Sequence, residues 1–255
     1  MILIKRFVWL SSFTGLLLFS SCHSSYYTIS SIEGGRIVVD KKYDAKPNSE
    51  SQQIVLTYKN KVDSIMSPVI GHSLTDMSAE RPESKLSNLV ADILRESTTA
   101  YLGKMADVAV INMGGLRSSL PKGDVTYGNI FEITPFENAL CILTMSGKEI
   151  REVFENIASV YGEGLSGAQL EITKEGKLLS AKIAGEEIED NKIYKVATLD
   201  YLAEGNDKMV AFKKIKDRLQ PDGATLRQIF LDYVISNNAK GGKLDSKVEG
   251  RIVVK

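Results

Sequence analysis

The chain has 255 residues, of which 43% are hydrophobic and 25% charged, an ordinary globular composition. Its 32 basic and 32 acidic residues cancel to a formal net charge of +0, so no long-range field draws a polyanion and nucleic acid is a poor partner. Two histidines and two cysteines leave little material for an imidazole-rich metal centre or a disulfide framework.

The N-terminus has the pattern of an export signal. Lys5 and Arg6 precede an apolar stretch over residues 7–19 (FVWLSSFTGLLLF). That stretch is shorter than the roughly 20 apolar residues a membrane-spanning helix needs. Ser20 and Ser21 then lead to Cys22, and F-S-S-C resembles a lipobox. Residues 1–22 therefore read as a signal peptide with Cys22 as the lipidated first residue of the mature protein. This places the chain in the cell envelope, exported and held by lipid. With Cys22 acylated, Cys141 stands alone in the apolar run ALCILTM and reads as a buried small hydrophobe.

Residues 23–50 read as a tether and linker, Ser- and Tyr-rich at first and polar around Pro47, with one short strand expected over residues 37–39. A domain over residues 51–255 follows. Ile54, Val55, Tyr58, Val62, Ile65 and Met66 recur at helical spacing. Ser84 is placed to cap a helix carrying Leu86, Leu89, Val90, Ile93 and Leu94. Val108-Ala109-Val110-Ile111 reads as a short strand, and the run around Cys141 as another. Ser146 and Glu149 form a capping-box pair ahead of Ile150, Val153, Phe154 and Ile157, and Gly162 and Gly164 close that helix. Strands are expected over residues 169–172, 180–183 and 192–198. Thr225 and Gln228 make a second capping-box pair, and RIVVK closes the chain as a strand. Helices and strands alternate irregularly. The fold expected is a single α/β (α+β) domain with a mixed β-sheet packed by helices.

Three loop segments could carry chemistry. Asn112-Met113-Gly114-Gly115-Leu116-Arg117 runs from a strand into a glycine pair and an arginine. Glycines admit close approach of a ligand to the backbone, and the Arg fork matches phosphate or carboxylate oxygens. Taken alone, the segment reads as a tight turn with a surface arginine, and its spacing matches neither the dinucleotide fingerprint nor the Walker loop. Thr134-Pro135-Phe136-Glu137-Asn138 and Tyr201-Leu202-Ala203-Glu204-Gly205-Asn206-Asp207 are, alone, a loop with a core-type aromatic and a turn ending in an acid.

Together, in this order and with Glu83-Ser84-x-x-x-Asn88-Leu89-Val90-Ala91-Asp92, they resemble the C-terminal domain of the 5′-nucleotidase/UDP-sugar hydrolase family. The resemblance runs from Val69-Ile70-Gly71 to Glu249-Gly250-Arg251-Ile252. It implies that Phe136 and Tyr201 clamp a nucleobase, with Tyr201 where the family commonly has Phe. Asn138 would meet the base edge, and Gly167 would lie against the base. Asp207 would accept from the ribose hydroxyls. Asn112 and Arg117, with Gly114 and Gly115 between them, would face the phosphate. Arg81 stands for the arginines that often precede the Glu-x-x-x-x-Asn helix.

That family hydrolyses phosphate esters in nucleotide catabolism with two metal ions held by a separate N-terminal domain. His23 and His72 form no ligand pair, so no metal or other cofactor is expected in this chain. The implied function is the nucleotide- or nucleoside-binding subunit of a split 5′-nucleotidase, with divalent metals on a partner metallophosphatase chain. The alternative is a non-catalytic nucleotide- or nucleoside-binding lipoprotein of the cell envelope.

Overall fold

The computed structural model describes residues 27–255, so the signal peptide and Cys22 lie outside the described residues. The described chain divides into two units between Gln52 and Gln53. Residues 27–48 of the first are exposed and carry one 3-10 turn, Lys41–Tyr43, capped by Asp40 through Lys42 N–H at 3.0 Å. The strand expected over residues 37–39 does not form; Ile37, Val38 and Val39 are exposed, and a strand needs a paired neighbour. Helix α1 (Ser49–Met66) follows the predicted spacing, but Ile54, Val55, Tyr58, Val62 and Ile65 remain exposed.

In the second unit the chain runs β1 (Val69–Ser73), α2 (Lys85–Ser97), α3 (Thr99–Leu102), β2 (Val108–Ile111), β3 (Gly123–Thr126), α4 (Tyr127–Ile133), β4 (Leu140–Ser146) and α5 (Gly147–Ser159). It continues with β5 (Gly164–Ser166), β6 (Ala168–Ile172), β7 (Leu178–Ile183), β8 (Glu186–Glu187), β9 (Ile193–Leu199), α6 (Asp200–Ala203), β10 (Arg218–Leu219), α7 (Leu226–Ala239) and β11 (Ile252–Val254). Five strands form a central mixed sheet in the order β10-β4-β9-β2-β5. Within it β2 and β9 are parallel, while β4 runs antiparallel to β9 from Leu140↔Leu199 to Ser146↔Ile193. A second sheet, β11-β6-β7-β8, and the antiparallel pair β1-β3 complete the strands. The mixed α/β architecture is the one expected from the sequence.

The central strands are buried on both faces, as a sheet covered on both sides must be. Val108 and Val110 of β2, with Cys141, Leu143 and Met145 of β4, pack on Phe154 and Ile157 of α5 and on Leu170 and Ile172 of the second sheet. Their alternates Ala109, Ile111, Leu140 and Ile142 pack on Leu89 and Ile93 of α2, Ile130 of α4 and Phe230 of α7. Period-two strand geometry thus divides one sheet between two cores. Burial pushes the Cys141 thiol up to about 11, consistent with the packing role expected of it.

Local caps set the helix starts. Ser84 accepts from Ser87 N–H at 3.2 Å, and Ser146 and Glu149 form the full reciprocal box, with Glu149 Oε2 accepting Ser146 N–H at 2.7 Å. The Thr225 box is only half made. Thr225 Oγ1 accepts Gln228 N–H at 3.2 Å, but the Gln228 side chain donates to Asp232 Oδ1 at 2.8 Å, one turn along the helix.

Candidate nucleotide-binding cleft

Because β2 and β9 are parallel and β4 is antiparallel to β9, the exits of β2 and β9 and the entry of β4 lie at one end of the sheet. The three loops singled out in the sequence leave from that end. They enclose a cleft of about 390 Å³ lined by Asn112, Gly114, Arg117, Phe136, Asn138, Tyr201 and Asp207. Phe136 is 49% exposed and Tyr201 39%, so neither ring is spent on the core.

The loops are tied to the scaffold and to one another. Asp200, first residue of α6, donates its N–H to Ala139 O at 2.9 Å, and its Oδ1 accepts Ala139 N–H at 3.1 Å. This double link joins the loop carrying Phe136 to the turn carrying Tyr201. Leu226 N–H donates to Asn138 O at 2.8 Å, and Arg227 donates to Pro135 O at 3.0 Å. Arg227 also pairs with Glu137 and lies 4.6 Å over the Phe131 ring. The sequence reading missed Arg227, because nothing local links a residue at the start of α7 to a loop 92 positions earlier.

Asp207 sits at φ 50° in the left-handed region, a conformation that acidic and amide residues tolerate better than most. Its Oδ2 accepts Asn112 Nδ2–H at 2.8 Å, and its Oδ1 accepts the Tyr201 hydroxyl at 3.0 Å. That second bond is the main reason the Tyr201 phenol is raised above its ordinary value, with desolvation adding to it. Asn112 is 5% exposed, and its Oδ1 is buried without a hydrogen-bond partner. Flipping the amide would set that oxygen against the Asp207 carboxylate, so the unfilled acceptor is a property of the arrangement. Arg117 holds its own loop, donating N–H to Ile133 O at 2.9 Å and Nη1–H to Gly114 O at 3.2 Å, and forms no ion pair among the described residues.

Three expected residues stand apart. Gly115 lines a narrow crevice beside the cleft, where a Cβ would come within 2.8 Å of Asn112 Oδ1. Gly167 does not join the cleft, which corrects the expectation that it lies against a base. It sits at φ 80° in a different hollow with Asp92, Arg95 and Arg251, where a Cβ would meet Asp107 O at 2.2 Å. Its glycine is required by backbone packing. Arg81 also stays out of the cleft and pairs with Glu163. A hollow of about 460 Å³ between α2 and α7 is larger than the cleft, but none of the predicted site residues lines it.

Among the described residues no group of three or more His, Cys, Asp or Glu side chains could hold a metal ion. His72 Nδ1 instead lies 3.2 Å from Asp124 Oδ1. No described helix is long and apolar enough to cross a membrane.

A mixed α/β scaffold that gathers two half-exposed aromatic rings, an acid and an arginine at one sheet end is what the sequence motifs anticipate. The family described as 5′-nucleotidase, C-terminal domain, matches residues 68–214, more than half of the sequence, and the chain belongs to that family. It is 30% identical over 179 residues to Endonuclease YhcR of Bacillus subtilis, covering 67% of this chain and 14% of the relative. It is 28% identical over 228 residues to the Trifunctional nucleotide phosphoesterase protein YfkN of the same organism, covering 80% of this chain and 15% of the relative. Among solved structures, a 5′-nucleotidase precursor from Thermus thermophilus superposes with a TM-score of 0.70 at 26% identity, over 80% of this chain and 43% of that one. The chain thus spans less than half the length of each of these proteins.

Proposed function

We propose that this domain is the nucleotide- or nucleoside-binding part of a split 5′-nucleotidase. The carrying observation is that Phe136 and Tyr201, both substantially exposed, line one cleft together with Asp207 and Arg117. The base stacks between the two rings, with Asn138 at its edge. Stacking on an aromatic face is worth about 1–3 kcal/mol per base and tolerates different bases. Asp207, already accepting from Asn112 and Tyr201, has lone pairs left for the ribose hydroxyls. Arg117 offers its fork to the phosphate.

One amide N–H of Asn112 holds Asp207 in place for the ribose, and the second is left to donate to the phosphate.

The metal-bearing half is proposed to lie on a separate metallophosphatase chain in the same exported compartment. Such metals would supply an activated water and stabilise the leaving group. Cys22, lipidated, would hold this chain at the membrane surface while the folded domain stays in the aqueous phase.

Calorimetric titration of AMP and adenosine into the mature protein tests the binding role, and no heat at millimolar ligand rejects it. Purification from the native envelope tests the split arrangement. Recovery of a metallophosphatase supports it; nucleotide binding with no such companion and no hydrolysis favours the non-catalytic binding lipoprotein instead.

A further inference from the structure

Behind the Asn112 turn lies a carboxylate no ligand in the cleft can reach. Glu163, just before β5, is 1% exposed. Its Oε2 accepts the Met113 N–H, and its Oε1 receives Arg81 Nη2 at 2.5 Å. Arg81 Nε donates in turn to Gly162 O at 2.8 Å, so the guanidinium is clamped onto the segment carrying Glu163. Met113 directly follows Asn112 and opens the 3-10 turn Met113–Gly115, whose first N–H has no partner within the turn. Asn112 is therefore gripped twice: through its side chain by Asp207, and through the next backbone amide by Glu163.

A buried carboxylate is a poor device for stability alone, since an apolar side chain of similar volume commonly serves as well. Here it stands one residue from a side chain that lines the cleft. We infer that Glu163 and Arg81 are positioning residues, in which ionised Glu163 latches the Asn112 turn in its ligand-ready geometry and Arg81 keeps Glu163 ionised. This inference rests on the nucleoside reading of the cleft.

The electrostatics agree with the geometry. Burial is the strongest influence and leaves the Glu163 carboxyl above its ordinary value, although the Met113 amide and the Arg81 guanidinium pull it down. Asp207, from the loop after α6, pushes it up again. Arg81 and Asp207 are the charged groups that face it. A protonated Glu163 would bring its own O–H toward the Met113 N–H or toward Arg81, donor against donor, and the latch would open. Binding therefore weakens as pH falls through the Glu163 titration. Removing the Arg81 charge moves that fall to higher pH.

The test uses adenosine, which carries no phosphate to titrate, and follows affinity against pH in the full mature chain. Alongside, the Met113 amide proton is followed by NMR without ligand. Arg81→Met, at a half-exposed side chain, should fold, match the parent at high pH and lose affinity at a higher pH than the parent does. Glu163→Gln should bind about tenfold more weakly, the loss of a charge-assisted hydrogen bond, with the Met113 titration gone. Superimposed profiles for the parent and Arg81→Met, or parent-like affinity in Glu163→Gln, overturn the inference. If the parent binds no adenosine, the nucleoside reading fails by itself. The latch then still stands if the Met113 shift titrates and moves upward in Arg81→Met, and falls if that shift ignores both pH and the substitution.

Discussion

Asn112 and Asp207, at the exits of two parallel strands, are joined side chain to side chain at 2.8 Å, and Asp207 reaches the Tyr201 hydroxyl with its other oxygen. One carboxylate thus orients both an aromatic ring and an amide before any ligand arrives. Asp207→Asn removes the charge and half of the acceptor capacity. It should weaken ribonucleoside binding by about 1.5–3 kcal/mol, the range for hydrogen bonds to a charged group, while leaving 2′,3′-dideoxyadenosine much less affected. Calorimetry with the two ligands checks this, and equal losses would remove Asp207 from the ribose.

Phe136 is half-exposed on a loop braced by Arg227, so truncating it should cost binding without costing the fold. Phe136→Ala is expected to lose about 1–3 kcal/mol of nucleoside affinity, with a thermal midpoint close to the parent's. An unchanged dissociation constant would dismiss the stacking role.

Arg117 donates to Gly114 O and forms no ion pair among the described residues. Arg117→Ala should weaken AMP far more than adenosine, read as the ratio of the two dissociation constants. A ratio equal to the parent's places the phosphate elsewhere.

The two adjacent glycines should answer differently to a side chain. A Cβ at Gly114 meets nothing within 4 Å, and Gly114 lines the cleft. Gly114→Val should therefore melt like the parent yet bind nucleotide more weakly. A Cβ at Gly115 comes within 2.8 Å of Asn112 Oδ1, so Gly115→Ala should cost about 1–3 kcal/mol of stability, the usual overpacking range. Denaturant midpoints and AMP titrations of both variants separate the effects.

What could be read from the sequence was what is decided over short distances. The Ser146–Glu149 box and the apolar spacing of α2 and α5 carry their own geometry within a few residues. The tetrapeptide RIVV shows where this ends, because it occurs twice. At residues 251–254 it pairs with β6 through Ile252↔Leu170 and becomes β11; at residues 36–39 it lies exposed and unpaired. Strand propensity is the same in both, and only a neighbour distinguishes them. The β1-β3 pair, joining Val69 to Thr126, and the two-residue β10 were unreadable for the same reason. In the cleft, the motif residues were legible because loops keep their chemistry in sequence. Their supports Glu163 and Arg227 come from other elements, and Gly167 carried no sign that it serves Arg95 and Asp107 rather than a ligand.

The double link between Asp200 and Ala139 ties the loop bearing one ring to the turn bearing the other. On the proposed reading, the spacing of β4 and β9 helps to set the gap between the rings. Substitutions deep under those strands could retune which bases are held tightly while every cleft-lining side chain stays the same. Selectivity in such a domain can drift from beneath.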